Sequence, residues 1–434
     1  MEWYHILLIN LAIICLLFCI GMPIAMAFCS VNIVCLLLLI GPHGLPLFIN
    51  SIFESVSSFS LAALPLFILM GNIMYESDAI GIMFDVVDKW IGGVRARLHV
   101  ISVIVATIFS AIGGAAMGTV AMMGSSILPE MVRRGYDKKL AAGAICAGAS
   151  LDPIIPPSNL AIVVAMLANV SVAKLLISGF MPGFLIASLI LIYVLIRVKL
   201  NPDLAPAYEF KRVPLSEKLR SLVRLMPFSI VIFLVIGLIM LGVATPTEAA
   251  ATGVVGSLFI AILFKRFTLR MVKNSIFATI RVSGMVLMIM ASAAAFSQVM
   301  ALSGAARGMV EMINGLHVPR MGMYAIMELI PLVLCCFMDQ ISLMMILVPI
   351  YLPIVNAYHF DPVWFWCTIL INITLGGITP PFGYVLFTLK GTTKELTLEE
   401  IYRAVIPFIL LYILAIAVVT VFPGIITWLP SKVM

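Results

Sequence analysis

Long apolar runs separated by short polar loops fill this chain from end to end, and they come in two sets with the same order. In the first set, apolar stretches fall near 3–20, 22–40 and 51–75, followed by an amphipathic stretch, 76–98, carrying Asp78, Asp85, Asp88, Lys89, Arg95 and Arg97. A pair of apolar arms, 99–132, follows, with Gly113-Gly114 and Gly118 between them. Next come 139–172, interrupted at Pro156-Pro157, and a closing run, 178–198. A polar segment from Lys199 to Arg224, with Pro202, Pro206 and Pro214, reads as a linker. The order then recurs: 226–244, 247–264, 275–300, an amphipathic 303–318, arms 321–355, a run 363–389 interrupted at Pro380-Pro381, and a last run near 404–428.

The register of the two sets is fixed. Pro156 and Pro380, Pro129 and Pro353, and Asp137 and Asp361 are each 224 residues apart, which implies an internal duplication: residues 1–198, the linker 199–224, and residues 225–434. Each arm pair is too short for two full spans plus a turn, because a span takes about 20 residues. The arms therefore predict a re-entrant helical hairpin, tolerated only where protein or a water-filled cavity satisfies its tip. Five crossings plus one such hairpin per half is an odd number of crossings, so the second half is expected to run inverted. Loop charge agrees. Arg133-Arg134-Gly-Tyr-Asp-Lys138-Lys139 follows the first hairpin, whereas its counterpart, Ala357 to Val363, has no Lys or Arg. By the positive-inside bias the first hairpin opens to the cytoplasm, the second opens outside, the linker is cytoplasmic and both termini are periplasmic.

Composition narrows the class further. Hydrophobic residues make up 63% and charged residues 11% of the 434, far from the quarter charged share of soluble domains. The fold class is therefore an all-α polytopic membrane protein built of two inverted-topology repeats. The first forty residues lack a basic region and a small-residue cleavage site, so they are expected to remain as transmembrane helices. A net charge of +6 sits in short loops and sets topology; no nucleic-acid partner is implied. The eight Cys show no metal-ligand spacing and read as buried thiols.

Paired, Gly/Pro-interrupted segments in corresponding positions of two halves point to a transporter's binding site. A broken helix leaves orphan carbonyls at one end and orphan amides at the other; the former suit a hard cation such as Na⁺, the latter an anionic substrate. The candidate Na⁺ ligands are Gly113 and Gly114 at the first tip, Ser150 and Asp152 at the first break, Asp339 and Ser342 at the second tip, and Thr374, Gly376 and Thr379 at the second break. Pro156, Pro157, Ser158 and Asn159, with Pro380, Pro381 and Gly383, form the breaks themselves and the candidate substrate contacts. The plainer alternative is that small residues simply permit close helix packing. Asp152 and Asp339 stand in apolar surroundings, where a charge costs about 2.5–3.5 kcal/mol on insertion scales and marks a functional candidate. Each also fits the role of a helix cap. Glu54 and Glu248 are expected near the interface, Glu328 against another helix, and Arg281 snorkelling to the cytoplasmic edge or, alternatively, attracting an anionic substrate. No organic cofactor is expected.

Taken together, Leu64-Pro-Leu-Phe-Ile-Leu-Met-Gly-Asn72, Phe109-Ser-Ala-Ile-Gly113, Pro153-Ile-Ile-Pro-Pro-Ser158, Ala244-Thr-Pro-Thr-Glu-Ala-Ala250, Cys336-Phe-Met-Asp339 with Pro349 and Pro353, and Thr379-Pro-Pro-Phe-Gly383 resemble the large membrane subunit of a tripartite ATP-independent periplasmic transporter. The resemblance covers nearly the whole chain. It implies a secondary transporter of organic anions, carboxylate or sulfonate, driven by a Na⁺ gradient across the bacterial inner membrane. It also implies a scaffold with a moving transport domain in an elevator motion. Two partners are implied: a small four-helix membrane subunit and a periplasmic substrate-binding protein. Two departures stand out. The first tip reads Gly113-Gly-Ala-Ala-Met-Gly-Thr119 where the family is richer in Ser, and Asp152 occupies a position that is usually small; both bear on the first Na⁺ site and on substrate choice. A stand-alone Na⁺/dicarboxylate symporter of related architecture is the alternative within the class. An intramembrane aspartyl protease using Asp152 and Asp339 is disfavoured, because the two are not repeat mates and neither has a Gly-x-Gly-Asp context. The chain is not expected to be an enzyme.

Overall fold

The structure, a computed structural model, describes residues 3–433 apart from 78, 92–94, 114–115, 207–213 and 336–337. Every regular element among them is helical. Eight helical stretches among the described residues are long and apolar enough to cross a bilayer. Within such a layer the backbone must satisfy its own hydrogen bonds, which is why apolar sequence of this length becomes helix and not open sheet.

The first half comprises α1 (Trp3–Cys19), α2 (Ile24–Ile40), α3 (Gly44–Val56), α4 (Ala63–Glu76) and α5 (Ala79–Trp90). The first arm pair follows as α6 (Arg97–Gly113), α7 (Ala116–Met122) and α8 (Leu128–Arg133), with a π-turn at Met123–Ile127 between the last two. Then come α9 (Lys138–Ala149), α10 (Asn159–Leu167), α11 (Val172–Ser178) and α12 (Phe180–Leu200). The second half holds α13 (Leu215–Ile232), a π-turn at Phe233–Gly237, α14 (Leu238–Met240), α15 (Pro246–Leu263), α16 (Leu269–Leu302) and α17 (Ala305–Gly315). Its arms are α18 (Arg320–Leu334) and α19 (Gln340–Ala357), followed by α20 (Pro362–Gly376), α21 (Tyr384–Thr392), α22 (Leu398–Val421) and α23 (Gly424–Val433).

The spacing of 224 recurs in the backbone itself. Asp137 caps α9 by accepting from the Leu140 amide at 2.7 Å, and Asp361 caps α20 by accepting from the Trp364 amide at 2.9 Å. Left-handed residues end matched helices at Gly41 and Lys265 and again at Gly135 and His359. Both Pro-Pro pairs, Pro156-Pro157 and Pro380-Pro381, are joined by cis bonds.

Three sequence expectations are corrected. The run 51–75 is not one span. It breaks between α3 and α4, whereas its repeat mate α16 runs unbroken for 34 residues. Pro65 stands in the first turn of α4, where its missing amide hydrogen costs nothing and its ring disfavours an unbroken run back through Leu61, and the matching position is Ile289. The polar stretch 199–224 is not all linker, because α12 reaches Leu200 and α13 begins at Leu215. Polar residues on one face of a helix do not end it, and here Lys89 pairs with Glu217 at 3.4 Å and ties α13 to α5. The last run, near 404–428, is two helices, α22 and α23, parted at Pro423.

The interior centres on α9, whose residues Leu140–Ala149 are all buried. Its composition explains this: Ala and Gly let neighbouring backbones approach closely, as in membrane helix interfaces. A Cβ on Gly143 would lie 2.4 Å from the Phe408 ring of α22, and one on Gly148 would meet Ala106 of α6 at 3.0 Å. Gly143→Val should therefore destabilise the protein by roughly 1–3 kcal/mol through overpacking. Thermal unfolding in detergent checks this; Gly284→Ala, where a Cβ meets nothing within 4 Å among the described residues, should leave the midpoint close to that of the unaltered protein.

Candidate functional site

Each arm pair folds its tip against the break of its own half. In the first half, the Ser110 hydroxyl donates to the Ala149 carbonyl at the end of α9, and the Asp152 carboxylate accepts from the Ala116 amide at the start of α7. In the second, Gln340 at the start of α19 donates to the Ile373 carbonyl at 3.3 Å, and a Cβ on Gly376 would lie 2.5 Å from Cys335 Cβ. A tip and a break each lack hydrogen-bond partners along the helix axis, so pressing one onto the other satisfies both.

The two breaks differ in what they leave over. Around the first, Ser150 Oγ, Asp152 Oδ1 and Asn159 Oδ1 are buried without a hydrogen-bond partner among the described residues, and so is Thr107 Oγ1 on the adjoining arm α6. Ser158 is committed: it accepts from the Ala161 amide at 3.1 Å, capping α10, and donates to the Pro153 carbonyl at 2.8 Å. Pro156 and Pro157 are buried and line an apolar cleft with Ile155, facing Val231 and Ile236. Gly113 closes α6, while Gly114 lies outside the described residues.

At the second tip, Asp339 caps α19. It accepts from the Ser342 amide at 3.1 Å, and the buried Ser342 hydroxyl also donates to it. Thr374 and Thr379 turn their hydroxyl hydrogens back to the carbonyls of Leu370 and Leu375, at 2.8 and 2.6 Å. Their oxygens keep accepting lone pairs. The Gly383 amide donates to the Thr379 carbonyl at 3.1 Å, Pro380 is half-buried, and the Pro381 carbonyl accepts from the Tyr402 hydroxyl at 2.6 Å.

The first break and the second tip both approach Tyr384, the first residue of α21. Both Asp152 and Asp339 lie within electrostatic reach of its phenol, and Asp152 also lies within reach of Tyr412. Tyr412 in turn donates to the Ala147 carbonyl of α9 at 2.8 Å. Sequence reasoning missed both tyrosines. Tyr384 had a signal, since it follows Gly383 directly after the second break and its repeat mate is Leu160. Tyr412 had none beyond being polar within an apolar run.

Other charged positions resolve as structure. Glu248 accepts from the Thr245 amide at 2.8 Å in a capping box opening α15. Buried Glu328 does meet another helix: the Asn372 amide nitrogen of α20 donates to both its carboxylate and its backbone carbonyl. Arg281 is exposed on α16.

Comparison with known proteins gives the arrangement a family. Residues 11–425 match the model of the DctM component of the tripartite ATP-independent periplasmic transporters. The chain is 29% identical over 398 residues to the C4-dicarboxylate TRAP transporter large permease protein DctM of Pseudomonas aeruginosa, covering 91% of this chain and 92% of that one. It is 29% identical over 364 residues to the ectoine/5-hydroxyectoine TRAP transporter large permease protein UehC of Ruegeria pomeroyi, covering 84% of each. Among solved structures, the YdaH transporter of Alcanivorax borkumensis shares the fold at a TM-score of 0.66 and 14% identity, over 89% of this chain and 90% of that one. The chain therefore belongs to the DctM component family of the tripartite ATP-independent periplasmic transporters and is a multi-pass protein of the inner membrane.

Proposed function

We propose that this subunit carries an organic acid across the inner membrane by secondary active transport coupled to Na⁺. The single observation that carries the reading is the set of buried, unpartnered oxygens at the first break: Ser150 Oγ, Asp152 Oδ1 and Asn159 Oδ1. Buried polar atoms are normally paired, and a hard cation takes oxygen ligands of this kind. Ser150 closes α9, whose C-terminal end adds partial negative charge. On the second side, Asp339, Ser342, Thr374, Gly376 and Thr379 supply further oxygens and close backbone, and the partial positive charge at the N-termini of α10 and α21 suits a carboxylate or sulfonate.

The relatives' names support the substrate class, since one is named for a C4-dicarboxylate and another for ectoine. The tripartite family supports two partners, a small four-helix membrane subunit and a periplasmic binding protein that delivers the acid. The second half is inverted relative to the first, both termini face the periplasm, and the two hairpins with their breaks move as one body against the remaining helices.

Na⁺ should raise the unfolding temperature of the purified protein relative to equal K⁺. Asp152→Asn should raise the Na⁺ concentration giving half that shift by about tenfold, equivalent to about 1.4 kcal/mol; an unmoved titration removes Asp152 from the ion site. Asp339→Ala should weaken the Na⁺ response in the same assay, and unchanged stabilisation leaves it as a helix cap alone. Replacing Pro380-Pro381 with Ala-Ala lets the helix continue through the break and should abolish uptake while the protein still inserts; uptake at the original rate would make the interruption dispensable. Cysteines placed at 135 and 359 should react with impermeant reagents from opposite faces of the membrane, and labelling from one common face would defeat the inverted arrangement.

A further inference from the structure

The helix α3 is apolar on one side and polar on the other. Leu45, Ile49, Phe53 and Val56 are exposed along one stripe, while Ser51, Glu54 and Ser55 follow at i, i+3 and i+4 and share a second one, which Ser58 extends from the turn just beyond the helix. In a membrane such a polar face belongs to a water-filled space. Here it lines a cavity of about 310 Å³, walled on its other sides by α10, α16 and α19 and completed by Asn169 and Ser297. Among the described residues, no Lys, Arg or His lines this cavity. Two helices end at its wall, α3 at Val56 and α10 at Leu167, and helix C-termini carry partial negative charge that adds to that of the Glu54 carboxylate.

The duplication isolates the charged residue. Ser51 and Ser55 have repeat mates in Ser275 and Thr279, which are buried on α16, where Asn72 of α4 donates to Thr279 Oγ1 at 3.1 Å. The mate of Glu54 is Ala278. The hydroxyl stripe is thus common to both halves, and the carboxylate belongs to the cavity alone.

We propose that this cavity is an electronegative antechamber on the substrate path which accepts the cationic group of a zwitterionic acid, an ammonium or amidinium, and rejects dianions. It rests on the transport reading above and narrows the substrate from organic acids in general to those carrying a positive group. The α10 helix connects the two places, with its C-terminal end at the cavity and its N-terminal residue, Asn159, at the first break.

Ser55→Cys tests the charge of the cavity without transport. Its labelling rate by a trimethylammonium-ethyl methanethiosulfonate should exceed that by the sulfonato-ethyl reagent roughly tenfold more than for free cysteine, read by mass spectrometry of the peptide containing position 55. Adding Glu54→Gln should return the ratio to the free-cysteine value. An unbiased ratio with Glu54 present, or no labelling from either face, overturns the antechamber. Ectoine, a zwitterion, should protect the introduced thiol while succinate does not; protection by succinate, or by neither, overturns the substrate assignment. Labelling confined to the cytoplasmic face would instead sink the proposed orientation and leave the charge ratio standing.

Discussion

A peptide group inside a bilayer has no water to turn to, so every place where a helix stops there must find its partners within the protein. The helices α9 and α20 both stop in apolar surroundings, and hairpin tips cover their ends. Each half solves the problem by the same device: a hairpin tip, itself short of partners, is pressed against the break. The Ser110 hydroxyl on the Ala149 carbonyl and Gln340 on the Ile373 carbonyl are the two visible fasteners. Of the two breaks, the first is the one that keeps buried oxygens without a partner among the described residues, at Ser150, Asp152 and Asn159.

Duplication makes this economical, and departures from it carry the information. The cap aspartates, the left-handed helix ends and the proline pairs all recur at one spacing, so they report the common framework. The carboxylates of Asp152, Asp339 and Glu54 do not recur. Their mates are Gly376, Ala115 and Ala278. A charge without a counterpart in an otherwise repeated scaffold breaks its symmetry, and these three stand at a break, a tip and a cavity wall.

Much of the framework is legible because long apolar stretches have one stable form in a membrane, and because Pro-Pro pairs forbid its continuation. The failures have specific causes. Hydropathy alone runs 51–75 together, although Ser57-Ser58 and Pro65 favour a stop and a restart there, and the matching run on α16 has Ile289 in place of the proline. The amphipathic start of α13 reads as linker only when polarity is equated with loop. Within the candidate site, backbone-breaking residues can be found from sequence, but Tyr384 and Tyr412 cannot be assigned. Tyr384 at least follows the second break directly, but where both phenols end up depends on how that break and α22 pack against α9, a long-range fact.

A break present in one repeat and absent from the other has a mechanical outcome. At 1.5 Å per residue a 34-residue helix such as α16 is about 51 Å long, well beyond a hydrocarbon layer of about 30 Å. It must lean or jut out at its ends, and it packs along α2, α3, α4 and α19 on the way. The first half has a jointed column there, and the second has a straight mast.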